Sequence, residues 1–356
     1  MAERTPSDPG RRRSVKAGPT AKDVAVLAGV SPMTVSRVVN GDPKVRPDTR
    51  RAVEAAIQDL GYLPNVAARQ LAGTEVFRIG LPFPLSSGKN YLSELLMGGL
   101  EQIGASGHQF MLRTCETPDG ARELIATFIA AGVNGIILPP PLCAHAEIIE
   151  DLRRWGGAAV VIGPGCPVDD YSSVLVDNRE AARAMTRFLL DLGHVRIGFI
   201  HGDPRHPASD LRHAGFRAAM REAGVSNPDR YLAHGSYDFQ SGLLAAESLL
   251  TMKDRPTAVF AANDVTAAAV VAFAHRLGLH IPAELSIAGF DDMPIATNIW
   301  PMLTTIRQPV AAMGREAIDL LVAAMRAKAQ GRPMKAVRHT FDYTLVTRGS
   351  CSAPAS

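Results

Sequence analysis

Four absences bound the chain before any motif is read. Its four cysteines, Cys115, Cys143, Cys166 and Cys351, have neither CxxC nor zinc-ligand spacing. A thiol-reduced, cytoplasmic setting is the simplest reading, and no metal centre is expected. No run of about 18 apolar residues occurs, and the N-terminus has no apolar core of a signal peptide, so neither a membrane span nor export is expected. GxSxG, P-loop and HExxH motifs are missing, and no GxGxxG follows a predicted strand, so the chain is read as a non-enzyme with no cofactor. The histidines His194, His201, His206 and His213 cluster loosely and are read as solvent-facing or capping residues, not as a metal site.

What is present begins with length and uneven charge. At 356 residues the chain is too long for one ordinary core. Through Glu75, 12 Lys/Arg stand against 8 acids, a net of +4. The whole chain is +3, which leaves −1 for the rest. A basic head on a near-neutral body marks a nucleic-acid module joined to something else. The double-stranded DNA partner follows from the next motif. The segment before Thr20 is rich in Pro, Gly, Ser and Arg and is expected to be a disordered basic tail.

From Thr20 the text TAKDVAVLAGVSPMTVSRVVNG reads as helix, tight turn, helix. Thr20 and Asp23 form a capping box, and Val24, Leu27 and Ala28 share a face. Gly29 supplies the turn and Val30 fills the crease. Ser31 caps a second helix with Pro32 at its first position. Val35, Val38 and Val39 point inward, which leaves Pro32, Met33, Thr34, Ser36 and Arg37 outward, where base edges and phosphates lie. A third helix runs from about Pro47 to Leu60 and ends at Gly61. This layout suits the DNA major groove.

Beyond Arg78, short apolar runs alternate with amphipathic stretches. RIGLPF, QFMLRTC, GIILPP, AVVIG and SVLVD are strands of one array; RIGFIHG, RYLAHG, TAVFAAND and LSIAGFDD are strands of a second. Two βαβ arrays predict two parallel-sheet lobes with a ligand between them, outside the carboxyl ends of the strands. Arg212, Tyr237, Asn263, Asp264, Asp291 and Asp292 fall at or beyond such ends. Arg, Asn and Asp together match the donors and acceptors of vicinal hydroxyls, and Tyr91 and Tyr237 offer faces for a sugar ring. Strand and helix capping is the competing role, and Asn263 in AAND is itself a helix N-cap candidate.

DVAVLAGVSPMTVSRVVNG, VRPDTRRAVEAAIQDLGYLPNVAARQLAG and the later VDN, LGHVRIGFIHG, DLRHAGF, AAND and GFDD blocks resemble the LacI-GalR family of bacterial transcriptional repressors, over about Thr20 to Arg348. The resemblance implies an all-α helix-turn-helix headpiece at 20–63, a hinge helix at 64–74, and a two-lobed α/β core at 75–348, periplasmic-binding-protein-like, of doubly wound parallel sheets. Its lobes are expected at about 76–175 plus 304–335 and about 176–303 plus 336–348, with a tail at 349–356. The DNA contacts it implies are Thr20, Ser31, Pro32, Met33, Thr34, Ser36, Arg37, Asn40, Asn65, Ala68 and Leu71, the last as a minor-groove wedge. Pro32 and Met33 depart from polar readers, which shifts direct readout toward Thr34 and Arg37. The implied effector contacts are Tyr91, Arg212, Tyr237, Asn263 and Asp291. Gly163-Pro164-Gly165 stands where some members carry a ligand carboxylate. The expectation is a homodimeric, effector-controlled repressor on a palindromic operator, answering to a small sugar-like molecule; a sugar-binding receptor or transport component is the alternative.

After Arg348 the text GSCSAPAS has no apolar heptads, so the oligomer is expected to stop at a dimer. Sedimentation at micromolar concentration checks this: a dimer is expected, and a stable tetramer refutes it.

Overall fold

The computed structural model describes residues 19–39, 42, 44–62, 76–85 and 89–355. The chain divides into two units, Met1–Val76 and Phe77–Ser356.

In the first unit α1 (Ala21–Leu27), α2 (Pro32–Val39) and α3 (Pro47–Leu60) enclose a small core of Val24, Ala25, Val35, Val38, Val53, Ala56 and Tyr62. The Asp23 carboxylate accepts from both the backbone N–H and the hydroxyl of Thr20, each at 2.7 Å. Those bonds hold its pKa below the ordinary value. Gly29 turns the chain at φ +65, and Ser31 accepts from the Thr34 N–H at 3.1 Å. Gly61 closes α3 in the left-handed region at φ 59. One expectation is corrected: Leu27 is 53% exposed, and Ala25 takes the inward place beside Val24. Two residues along a helix is a rotation of about 200°, so Leu27 faces away when Ala25 faces in.

The second unit holds two parallel sheets. In the first lobe β1 (Arg78–Pro84), β2 (Gln109–Cys115), β3 (Gly135–Leu138), β4 (Ala158–Ile162), β5 (Ser172–Val176) and β11 (Arg338–Phe341) lie in the order β11-β5-β4-β3-β1-β2. The helices α4 (Lys89–Ser106), α5 (Pro118–Ala130), α6 (Ala146–Trp155) and α12 (Val310–Ala329) cover its faces. In the second lobe β6 (Ile197–His201), β7 (Leu232–His234), β8 (Ala258–Ala261) and β9 (Ser286–Ala288) lie in the order β7-β6-β8-β9. Its helices are α7 (Asn178–Asp191), α8 (Pro207–Glu222), α9 (Phe239–Leu250), α10 (Asp264–Arg276) and the short α11 (Ile295–Asn298). β3, β4, β5 and β6 are buried at every position, as strands covered on both faces must be.

The chain passes between lobes three times: after β5, between β10 (Thr305–Arg307) and α12, and between β11 and β12 (Thr344–Val346). β10 and β12 pair antiparallel, and their Ile306 and Leu345 pack on the second lobe. This corrects the lobe boundaries expected from sequence. Residues 338–341 complete the first sheet, with Arg338 opposite Ser173, and residues 304–307 side with the second lobe.

The residues expected to be a tail also belong to the core. Ser350 is fully buried; its Oγ accepts from the Thr304 N–H at 2.8 Å and donates to the Ile287 carbonyl at 2.5 Å. The Ser352 carbonyl and the Ser286 hydroxyl meet His194 Nε2 at 2.9 and 3.1 Å. Ser350→Ala therefore strands the buried Thr304 N–H and leaves the Ile287 carbonyl only the weak Cys351 thiol donor at 3.3 Å, and it is expected to cost about 1–3 kcal/mol in urea unfolding; a change below about 0.5 kcal/mol shows the segment to be dispensable.

Candidate functional site: the inter-lobe cavity and the second headpiece helix

Segments just beyond the carboxyl ends of strands from both lobes line one cavity. An inner part holds about 60 Å³ of free space and is lined by Tyr91, Pro140, Gly163, Asn178, His206, Arg212, Tyr237, Asn263, Asp291 and Gln308, with Leu92 and Ala208. An outer part of about 450 Å³ shares Tyr91, Tyr237, Asn263 and Asp291 and adds Asn90, Arg205, Asp238 and Asp264. All five expected effector contacts meet here.

Arg212 on α8 is the anchor. It is 5% exposed, lies on the Phe290 ring with its guanidinium carbon 3.6 Å from the centroid, and spends three of its five N–H donors inside the protein. Nε donates to Asn178 Oδ1 at 2.8 Å, Nη1 to the Ala262 carbonyl, and Nη2 to Asp291 Oδ1 at 3.3 Å. Asp291 Oδ1 also accepts from Gln308 Nε2 at 2.7 Å. Both bonds therefore fall on one oxygen of this carboxylate. Burial pushes the Asp291 carboxyl up, and the Arg212 guanidinium opposes that shift. Asp291 sits at φ 108 and Asp292 at φ 57, a left-handed pair held by ion pairs from Asp292 to Arg307 at 2.6 Å and to Arg348 at 2.7 Å.

Tyr237 also sits at positive φ, 61. Its hydroxyl accepts from Ser209 Oγ at 2.7 Å, and its carbonyl accepts from Asn263 Nδ2 at 3.1 Å. Its ring lies against Gly202 so closely that a Cβ there would overlap it. Asn263 performs both roles raised by the sequence: it caps α10 by accepting from the Thr266 N–H at 2.9 Å, and it lines the cavity. Asp264 is buried, with its oxygens taken by the Thr305 hydroxyl at 2.6 Å and the Met293 N–H at 2.8 Å; burial pushes its pKa well up. Tyr91 is half-buried at the boundary of the two parts, and burial raises its phenol further.

Three lining residues escaped the sequence reading. Asn178 stands in the VDN block with no site role expected of it, Gln308 falls in no motif, and His206 is among the histidines expected to face solvent or to cap. The solvent-facing half of the histidine reading is corrected, while His206 does stand at the N-cap of α8, without a side-chain cap bond. His194, His201 and His206 are buried, because their rings pack in the second lobe; the His206 ring stands edge-on to Tyr237 at 5.3 Å. Asn178 and Gln308 share a signal in hindsight: each is an uncharged polar residue at a point where the chain changes lobe. Among the described residues no group of three or more His, Cys, Asp or Glu is set to hold a metal ion, and no helix is long and apolar enough to cross a membrane.

In the headpiece unit, Thr20, Ser31, Pro32, Met33 and Arg37 are exposed, and Thr34 and Ser36 are half-buried. Met33 is 66% exposed, an apolar side chain offered to the surrounding medium on the polar side of α2. The Ser31 and Thr34 hydroxyls lie 3.0 Å apart, so they serve the cap as well as the face. Asn40, Asn65, Ala68 and Leu71 lie outside the described residues, as does the expected hinge at 64–74.

A helix-turn-helix unit followed by two lobes around a polar cavity defines a ligand-controlled DNA-binding regulator. Residues 20–65 match the lacI family of bacterial regulatory proteins and residues 186–351 the periplasmic binding protein-like domain. The ribose operon repressor of Escherichia coli (strain K12) is 35% identical over 85% of this chain and 92% of its own length. Catabolite control protein A of Priestia megaterium is 32% identical over 92% and 99%. Among solved structures, the transcriptional regulator CelR–cellobiose complex aligns with a TM-score of 0.70 at 30% identity, over 93% of this chain and 99% of that one. The lac repressor dimer bound to operator and the anti-inducer ONPF aligns at 0.73 and 26%, over 95% and 100%. The chain belongs to the lacI family of bacterial regulatory proteins.

Burial, with Arg205 and Arg212 close by, holds the His206 imidazole down from 6.5 to about 4, while the carboxylate of Asp203 opposes this. The unfolded chain then binds the extra proton first. Stability from this residue is whole above pH 6.5 and is lost as pH falls toward about 4. The urea midpoint of the wild type is expected to fall across that window, and His206→Gln is expected to flatten the fall. Equal slopes in both proteins refute the assignment.

Proposed function

We propose that this chain is a cytoplasmic transcriptional repressor that binds a two-fold operator as a homodimer and is controlled by a small polyhydroxylated ligand held between its lobes. The observation that carries the ligand reading is the convergence of Arg212, Asn178, Asp291, Asn263 and Gln308 with two tyrosines in one cavity. Amide, guanidinium and carboxylate groups alternate donors and acceptors as adjacent hydroxyls do, and Tyr91 and Tyr237 flank a ring. The ribose and cellobiose named for the relatives are molecules of this kind. The DNA reading rests on the exposed polar side of α2 and on family membership. Two identical headpieces match two half-sites.

The DNA-contact roles of Thr20, Ser31, Pro32, Met33, Thr34, Ser36 and Arg37, and of Asn40, Asn65, Ala68 and Leu71 beyond them, belong to this proposal. Arg37 is the residue best suited to paired donation to a guanine edge. Arg37→Ala is expected to cost about 1–3 kcal/mol of operator affinity and to relax one operator position. Uniform loss on operator and random DNA, measured by fluorescence anisotropy, reduces Arg37 to a phosphate contact.

Control by ligand requires different affinities for two arrangements of the lobes. Asp291→Ala and Arg212→Ala are expected to abolish the ligand response while ligand-free operator affinity stays within about threefold, the margin left when only the ligand's anchors are removed. Asp291→Asn, which keeps the side-chain volume, guards against a folding artefact. Under an inducer these proteins repress constitutively; under a corepressor they fail to repress. A folded variant that loses operator binding without ligand refutes the assignment.

A further inference from the structure

The distribution of charge around the cavity says more about the ligand than its hydroxyls do. The inner part has one arginine, and Arg212 gives three of its five N–H groups to Asn178, Ala262 and Asp291, the last a carboxylate that already pairs its charge. In the outer part Arg205 shares the lining with Asp238, Asp264 and Asp291, and it is itself tied to Asp203 at 2.5–3.1 Å. Lysine is absent from the described lining of both parts. His206 adds no positive charge near neutral pH.

Helix N-termini are the other usual source of anion affinity, through free N–H groups and the helix dipole. Four second-lobe helices begin at this cavity, and each begins with the chain's own carboxylate. Asp177 caps α7 by accepting from the Glu180 N–H at 2.9 Å, and Asp238 caps α9 by accepting from the Ser241 N–H at 2.8 Å. Asp210 lies in the first turn of α8 and Asp264 in the first turn of α10. Asp177 and Asp238 thus each take one of the N–H groups a phosphate would use, and a carboxylate at the cap or in the first turn of each helix opposes the positive end of its dipole.

We infer that the cavity selects an uncharged ligand and rejects phosphorylated or carboxylated forms of the same molecule. This rests on the polyol reading above. An anionic group entering here gives up its hydration without gaining a free counter-charge, and it meets the exposed Asp238 carboxylate at the mouth. A neutral hydroxyl loses far less and is repaid by the amides of Asn178, Asn263 and Gln308 and by the Asp291 carboxylate.

Matched pairs test the inference on the full chain by calorimetry and thermal shift: ribose with ribose 5-phosphate, glucose with glucose 6-phosphate and with glucuronate, cellobiose with cellobionate. In a pair that binds, the neutral member is expected to be tighter by roughly tenfold or more, the scale of an uncompensated desolvated charge. The gap narrows as salt rises from about 0.05 M to about 1 M, because screening weakens the acidic mouth. Asp238→Asn keeps an N-cap acceptor and removes one mouth charge, and it is expected to narrow the gap in the same direction. A charged member that binds as tightly as its neutral partner overturns the inference and leaves the polyol site standing. Silence from every member of the panel overturns the polyol reading and this inference with it.

Discussion

The cavity of the second unit is arranged around one buried guanidinium. Arg212 carries a guanidinium into the interior, so the fold must answer its donors or leave a charge stranded. The answers come from Asn178 at the first lobe crossing, Ala262 at the end of β8, and Asp291 beyond β9, which Gln308 near the second crossing also holds. One side chain on α8 therefore ties the carboxyl ends of two strands to two of the three segments that cross between the lobes. A ligand that competes for the Asp291 carboxylate is in contact with those segments through a single residue.

The same region holds the three non-glycine residues at positive φ, Tyr237, Asp291 and Asp292, all within the described chain. Such backbone is costly unless its surroundings over-determine it. Here they do. Asn263 fixes the Tyr237 carbonyl, Ser209 its hydroxyl, and Arg307 and Arg348 flank Asp292. The strain is local to the cavity, where a side chain has to be aimed rather than merely buried.

Much of this was legible in the sequence because it is periodic or punctuated. Apolar runs such as AVVIG and RIGFIHG mark buried parallel strands, and Gly29, Ser31-Pro32 and Gly61 mark the ends of headpiece helices. Tyr91, Arg212, Tyr237, Asn263 and Asp291 were found through strand ends and family blocks. What was illegible depends on partners distant in sequence. Arg338–Phe341 looks polar and irregular until it is set beside Ser173–Val176. Ser350 looks like a loose end until Thr304 and Ile287 claim its hydroxyl. The burial of His206 follows from packing against Tyr237, and Leu27 turned outward because a seven-residue helix shows its core only one narrow stripe.

The edge strand Arg338–Phe341 has a consequence for how the molecule comes into being. The first sheet is not complete until residues 338–341 reach a strand made more than 160 positions earlier, as the Val337 N–H to Ser172 bond shows with a separation of 165. The second lobe likewise waits for Ser350 and Ser352. Long-range closures of this kind raise contact order and slow folding. On a ribosome, neither lobe can finish before nearly the whole polypeptide has emerged, whereas the three headpiece helices close within their first sixty-odd residues. The DNA-reading module can thus mature early, and the part that restrains it arrives last.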